Sequence, residues 1–345
     1  MDDTSCEDFS PNRLIREFLC ERVLVFKELA ALRDEGWANP SGDDYFKQQR
    51  KRADEAGPKE QRWFFHMMQQ IGDEMENATG FLSQLVCEKD PPKVLDLCMA
   101  PGGFSAMIRQ RLPTAEIHGI SLPHSKGGHK LLFGHSDPRI RILFTDITMH
   151  SSEMGATSIP PDHPEAAAFI QSRPYLSEAF DLAICDGQVL RNHPRQSYRE
   201  QVEASRLILS QLVFSLQRIK PGGTIVILLH KLDSWDSLEL LYTFSKFAQI
   251  QLFKPEKKHA MRSSFYLIAK GMDPYAPSAL SAVESWKEAW SCVTFRFCRE
   301  IFPSEQMVKT MLAQFGERLI ELGLPLWNIQ AKALRRLGFL KQKAK

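Results

Sequence analysis

Residues 93–108, KVLDLCMAPGGFSAMI, carry an apolar run through Pro101-Gly102-Gly103 directly into a helical pattern. An apolar run this short, closed by Pro and Gly, predicts a buried strand, a tight turn and then a helix. Such a unit cannot bury its faces alone. It demands neighbouring strands of the same kind with helices laid over them.

The surrounding sequence supplies them. Between about 61 and 272, short apolar runs alternate with helical stretches, which predicts βαβ units and a mostly parallel sheet of seven strands, doubly wound. The strands are expected at 93–98, 116–122, 140–146, 180–186, 224–230, 249–253 and 264–270. Helices are expected after Gly103, across 198–219 and across 237–247. The interval 148–178 is rich in Pro, Ser and Ala, too long for a routine connection, and reads as an insertion or a mobile lid.

Both ends read as helical extensions, giving three zones: 1–60, 61–272 and 273–345. In the first, Gly36 is the expected helix stop, followed by a polar stretch, 47–60, closed by Gly57-Pro58. The last carries Trp286, Trp290, an amphipathic run over 304–322 and a basic end, RRLGFLKQKAK, read as a solvated tail.

Charge narrows the partners only slightly. With 44 Lys and Arg against 42 Asp and Glu, the net charge is +2, so any surface for nucleic acid must be local. Seven cysteines lie scattered without a CxxC pair, which argues against a metal centre and for a reducing compartment. No leader is visible, and no apolar run has the length of a membrane span, so a cytoplasmic or nuclear protein with no membrane partner is expected.

The turn is the candidate binding site. Glycines let a ligand approach the backbone, and the following helix start offers unpaired N–H groups, here through Gly102, Gly103 and Phe104. In a doubly wound sheet this is where a nucleotide-like ligand binds. The segment is neither GxGxxG nor a phosphate loop. A zwitterionic ligand suits it better, with Asp96 meeting an amino group directly or through water.

DLCMAPGGFS resembles motif I of the FtsJ-like methyltransferases, usually DLGxxPGGWS or DLGxxPGGFS, and the resemblance extends over about 61–272. It implies a Rossmann-like methyltransferase sheet, S-adenosyl-L-methionine as cofactor and, for most of the family, methylation of an RNA ribose 2′-hydroxyl. It places Pro101, Gly102, Gly103 and Phe104 around the cofactor, Asp146 near its adenine amine, and Asp186 between the two subsites. Ser121 stands where many methyltransferases carry a carboxylate for the ribose; it is either a weaker ribose partner or an ordinary loop residue.

Methyl transfer to a hydroxyl needs in-line placement and a base within hydrogen-bond reach. FDLAICDGQV and GGTIVILLHKLDSW put Asp186 and Lys231 at the ends of the fourth and fifth strands, adjacent in an order 3-2-1-4-5. The resemblance makes them the middle pair of a Lys-Asp-Lys-Glu tetrad. His66 in RWFFHM stands at the first lysine, with Lys59 a weaker substitute, and Ser264 stands at the glutamate. Two basic groups could meet RNA phosphates: 47–52, and Lys254, Lys257, Lys258, His259 and Arg262; Arg191, Arg195 and Tyr198 add to the same cleft. Stacking aromatics are not recognisable in the sequence. Two readings stay open beside RNA methylation: a small-molecule O-methyltransferase on the same fold, and a noncatalytic relative that binds the cofactor or RNA. Protein partners are unknown.

Overall fold

A computed structural model describes residues 9–40, 47, 57–85, 90–134, 136–189, 195–297 and 303–337. Its centre is a sheet of β1 (Lys93–Leu97), β2 (Glu116–Ser121), β3 (Ile140–Phe144), β4 (Phe180–Cys185), β5 (Ile219–His230), β6 (Gln249–Phe253) and β7 (Ser264–Lys270). The strand order is β3-β2-β1-β4-β5-β7-β6. Strands β1 to β5 run parallel, and β7 is antiparallel to both β5 and β6. All seven expected strands are present, within one or two residues at most ends. β5 starts earlier because Ile219 pairs with Phe180 ahead of a register shift.

Helices cover both faces, as buried parallel strands require. One face holds α3 (Pro58–Thr79) and α4 (Gly103–Arg111), which pack Met67, Ile71, Phe104 and Met107 against Val94, Ile117 and Ile184. The other face holds α5 (Glu203–Leu216), α6 (Trp235–Phe244) and α7 (Pro277–Ser291), together with the terminal helices α1 (Pro11–Arg22), α2 (Leu24–Ala38) and α8 (Glu305–Leu334). Both ends therefore join the core of the sheet. Phe26 of α2 packs edge-on against Trp327 of α8, with ring centres 5.0 Å apart. Arg33 ties α2 to Asp233 at 3.0 Å and to Gln330 at 2.8 Å.

Two expectations change. Gly36 does not stop α2, which runs to Ala38; Asn39 is extended, as the residue before Pro40 prefers. The amphipathic run at 304–322 continues to Leu334 straight through Pro325, capped at its start by the Ser304 hydroxyl. Arg335, at the start of the basic end, is exposed and pairs with Glu28; residues 338–345 lie outside the described residues.

The interval 148–178 is a packed insertion and not a loose lid. His150 bridges to Ile170, and Glu153, fully buried, accepts two hydrogen bonds from Arg218 at 2.8 and 2.7 Å. A buried carboxylate persists only when so compensated, and this one fixes the insertion to the end of α5. No described helix is long and apolar enough to cross a membrane.

Candidate active site

At the carboxyl ends of β1, β2, β4 and β5 lies a cavity of about 1410 Å³. It opens where the strand order reverses between β1 and β4, the crevice in which doubly wound sheets bind ligands. One wall comes from α3 (Trp63, Phe64, Met67), another from the insertion (Thr148, Met149, Glu165).

The glycine turn forms the near edge in an unexpected way. Cys98, Ala100 and Pro101 line the cavity, but Gly102, Gly103, Phe104 and Asp96 do not. Gly102 needs its glycine for a backbone angle φ of +95°. Gly103 needs it for α3: an added Cβ would lie 2.4 Å from the Phe65 carbonyl oxygen and 2.6 Å from Met68 Cβ. Phe104 is buried against Tyr266, with ring centres 5.9 Å apart. Asp96 is buried beneath the turn and accepts a 2.5 Å hydrogen bond from the Ser105 hydroxyl; burial pushes its carboxyl up to about 7. Ser121 lines the cavity, and its hydroxyl already accepts the Ala100 N–H at 3.3 Å, bracing the turn.

Asp146 also lines the cavity, at the end of β3, and is held from several sides. It accepts the Thr148 N–H at 3.0 Å, the Thr148 hydroxyl at 2.7 Å and Arg199 Nη2 at 3.0 Å. Burial alone would raise its pKa, but the Arg199 charge and the Thr148 bonds outweigh that and hold it below the usual range. Arg199 further bonds Glu203 at 2.8 and 2.5 Å, and lies 3.5 Å from Glu165. Sequence reasoning missed this buried cluster, because its members come from three separate segments, 146–148, 165 and 199–203.

Asp186 lines the floor of the cavity just beyond β4. Its Oδ1 accepts the Tyr266 hydroxyl at 3.2 Å. Loss of solvent, then the nearby Asp96, push its carboxyl up to about 8. The adjoining Gly187 is required for close packing, since a Cβ there would meet Cys98 Sγ at 2.5 Å.

The other expected tetrad positions are not all brought to Asp186. Lys231 is exposed and does not line the cavity; it sits in a turn at φ +53°. Leu228 and His230 of β5 line the cavity instead, and His230 Nε2 meets Gln188 Oε1 at 2.8 Å. His66 is exposed on α3, outside the cavity, and bonds Gln69 at 3.0 Å. Lys59 and Ser264 both line it.

The rim is basic. Lys59, Lys126, Lys257, Lys258, Arg195 and Arg262 border the cavity, whereas its inner acids Asp146, Glu165 and Glu203 are tied to Arg199. Lys254 does not belong to this rim. It is buried, donating from Nζ to the carbonyls of His259, Arg262 and Ser264, and burial lowers its pKa to about 7. It therefore shapes the loop that presents Lys257 and Lys258. Gln330 of α8 secures the same loop through the Met261 carbonyl at 3.1 Å. Tyr198 donates to Glu165 and packs at a tilt against Phe297; the 48–52 segment and Arg191 lie outside the described residues.

Comparison with known proteins matches residues 73–272 to the model of the FtsJ-like methyltransferase family. A Dictyostelium discoideum protein described as a tRNA (cytidine(32)/guanosine(34)-2′-O)-methyltransferase is 25% identical over 187 residues. The match takes in 53% of this chain and spans only 60% of that relative's length. Among solved structures, similarity extends to a Plasmodium falciparum ribosomal RNA methyltransferase, 19% identical with a TM-score of 0.38, over 58% of this chain and 93% of that one. It extends also to human methyltransferase-like protein 13 with S-adenosylhomocysteine, 14% identical with a TM-score of 0.31, over 72% and 96%.

Proposed function

Because the chain belongs to the FtsJ-like methyltransferase family, we propose that it uses S-adenosylmethionine to methylate a ribose 2′-hydroxyl of RNA. The observation that carries this reading is the two-zone cavity: a floor with Asp186 at the β1/β4 crevice, and a rim of lysines and arginines outside it. An anionic polymer is drawn to such a rim, and only its reacting group need reach the floor.

The residues present fit the cofactor. Ile120, Leu122 and Ile147 offer an apolar slot for a flat ring, with Asp146 beside it as an acceptor for an exocyclic amine. The turn residues Cys98, Ala100 and Pro101 can bring backbone polar groups to the amino-acid end, and Asp186 sets a carboxyl between the two. When bound, the cofactor supplies an electrophilic methyl group on a sulfonium sulfur.

The chain's own part is positioning and proton handling. Asp146, Glu165 and Glu203 are committed to Arg199, while the Asp186 carboxyl meets the uncharged Tyr266 hydroxyl. Burial and the nearby Asp96 favour the protonated form of Asp186 in the free protein, pushing its carboxyl up to about 8. A cation beside it favours the ionised form, which can then accept the proton of a hydroxyl within reach. Tyr266, donating to Oδ1, holds that carboxyl in place.

The test is methylation of RNA with label in the donor methyl group, followed by digestion to nucleosides. Label on ribose oxygen supports the reading. Label on a base, or labelling of small molecules with none in RNA, refutes it.

A further inference from the structure

The wall of the cavity formed by α3 carries a row of rings that the mechanism above does not use. Trp63 stands at the mouth and is 51% exposed. Phe64 meets it edge-on with ring centres 5.3 Å apart, and His129 lies 6.4 Å beyond Phe64; all three line the cavity. A single exposed aromatic is unremarkable on a protein surface. This one differs in two respects: its ring neighbours Phe64 and His129 also line the cavity, and two lysines lie beside it. The Lys258 ammonium stands over its ring, 5.5 Å from the centre, and Lys59 lies one helical turn away on the same lined face.

We propose that Trp63 is a stacking platform for an unpaired nucleobase of the acceptor strand, with Lys258 and Lys59 meeting the flanking phosphates. The proposal rests on the RNA reading above and adds which kind of RNA, single-stranded at the site, and the side from which it enters. The chemistry is that of single-strand binders, in which an aromatic face takes any base and nearby cations follow the backbone. A paired base could not be used this way, because its faces are already covered by its neighbours in the helix. The edge-on contact with Phe64 restrains the indole, which reduces the motion left to lose when a base stacks. Rings farther along the row, Phe64 and His129, are partly covered and would guide the next nucleotide inward without full stacking.

Binding of a fluorescently labelled single-stranded RNA and of the same sequence as a duplex, by anisotropy at fixed salt, tests this on the full chain. S-adenosylhomocysteine titration by calorimetry accompanies each variant as a control. Trp63→Leu keeps apolar bulk and removes the π face; it should weaken single-strand binding about 5- to 150-fold. Trp63→Phe should stay within about threefold of the native protein, since a smaller π face remains. Neither change should alter the cofactor titration. Native single-strand affinity in Trp63→Leu would overturn the platform while leaving the RNA reading intact. So would duplex binding as tight as single-strand binding, or loss of cofactor binding together with RNA binding. Absence of RNA binding by the native protein at low salt would overturn the RNA reading itself, and the platform with it.

Discussion

Gly103→Ala separates two meanings of the glycine turn. If the glycines exist to admit a ligand, a methyl group at 103 should cost binding and little else. The structure assigns the space to α3 instead: the new Cβ would lie 2.4 Å from the Phe65 carbonyl oxygen, 2.6 Å from Met68 Cβ and 3.3 Å from the Gln69 backbone nitrogen. Two of these three atoms are backbone, so no side-chain rotation relieves the overlap and α3 must move outward. Overpacking of this kind costs about 1–3 kcal/mol. For a chain of 345 residues that corresponds to a fall in Tm of about 1–4 °C. Alanine's better helix propensity offsets little, because 103 is the first residue of α4. Scanning calorimetry measures the loss, and titration with S-adenosylhomocysteine measures what the displaced wall does to the site. Since α3 also carries Met67 and Ile71 to the cavity wall, affinity should decline modestly while the protein remains folded. A variant that melts like the native protein yet binds no ligand would refute the packing argument and return Gly103 to the ligand.

Three further outcomes are expected. Asp96 and Asp186 stand raised to about 7 and about 8, above the roughly 3.9 of an unfolded aspartate, so the folded state holds protons that the unfolded state releases. Stability of the free protein should therefore fall as pH rises from about 4 to about 8, and Asp186→Asn should make Tm less steep in that window, as thermal melts across pH will show. Lys231→Ala, being outside the cavity, should change methyl transfer by less than about tenfold, whereas Asp186→Ala should lower it by about 10²–10⁴; a large loss from Lys231→Ala contradicts its placement. Arg199→Met leaves Asp146 without its cation, although Glu203 keeps Arg206 at 3.2 Å, and should cost about 3–5 kcal/mol near neutral pH. That deficit should shrink in acid, because Asp146, held below its usual pKa, contributes above about 3.9 and loses its contribution as it protonates.

What was legible in the sequence, and what was not, follows from which patterns are local. The strands are continuous apolar runs bounded by turn residues, so their positions could be read directly, and their order followed from the βαβ rhythm. Asp186, Asp146 and Ser121 could be placed at strand ends on the same ground. Lys231 also follows directly on a strand, but being near a strand end says nothing about which face a side chain takes. Leu228 and His230 share one parity of β5 and line the cavity; Lys231 has the other parity and enters a turn at positive φ. That alternation was available in the sequence, since the strand expected at 224–230 already ended at His230. The same holds for His66. Glu60, Trp63, Phe64, Met67, Met68 and Ile71 line the cavity at helical spacing, and a residue at 66 falls off that stripe. The glycine pair was harder. Gly72, in the middle of α3, would bring a Cβ to 2.4 Å from Met107 Cε, so glycines at 72 and 103 both serve one tight helix crossing. A glycine inside an otherwise regular helix is a costly choice that signals such a crossing. Its partner, though, lies 31 residues away in the chain, and only the folded sheet reveals that α3 crosses α4 there. The same is true of Arg199 with Asp146 and of Lys254 with the loop it secures: each is a charge whose role depends on burial. Local sequence marks both as surface cations, and the fold makes them interior ones.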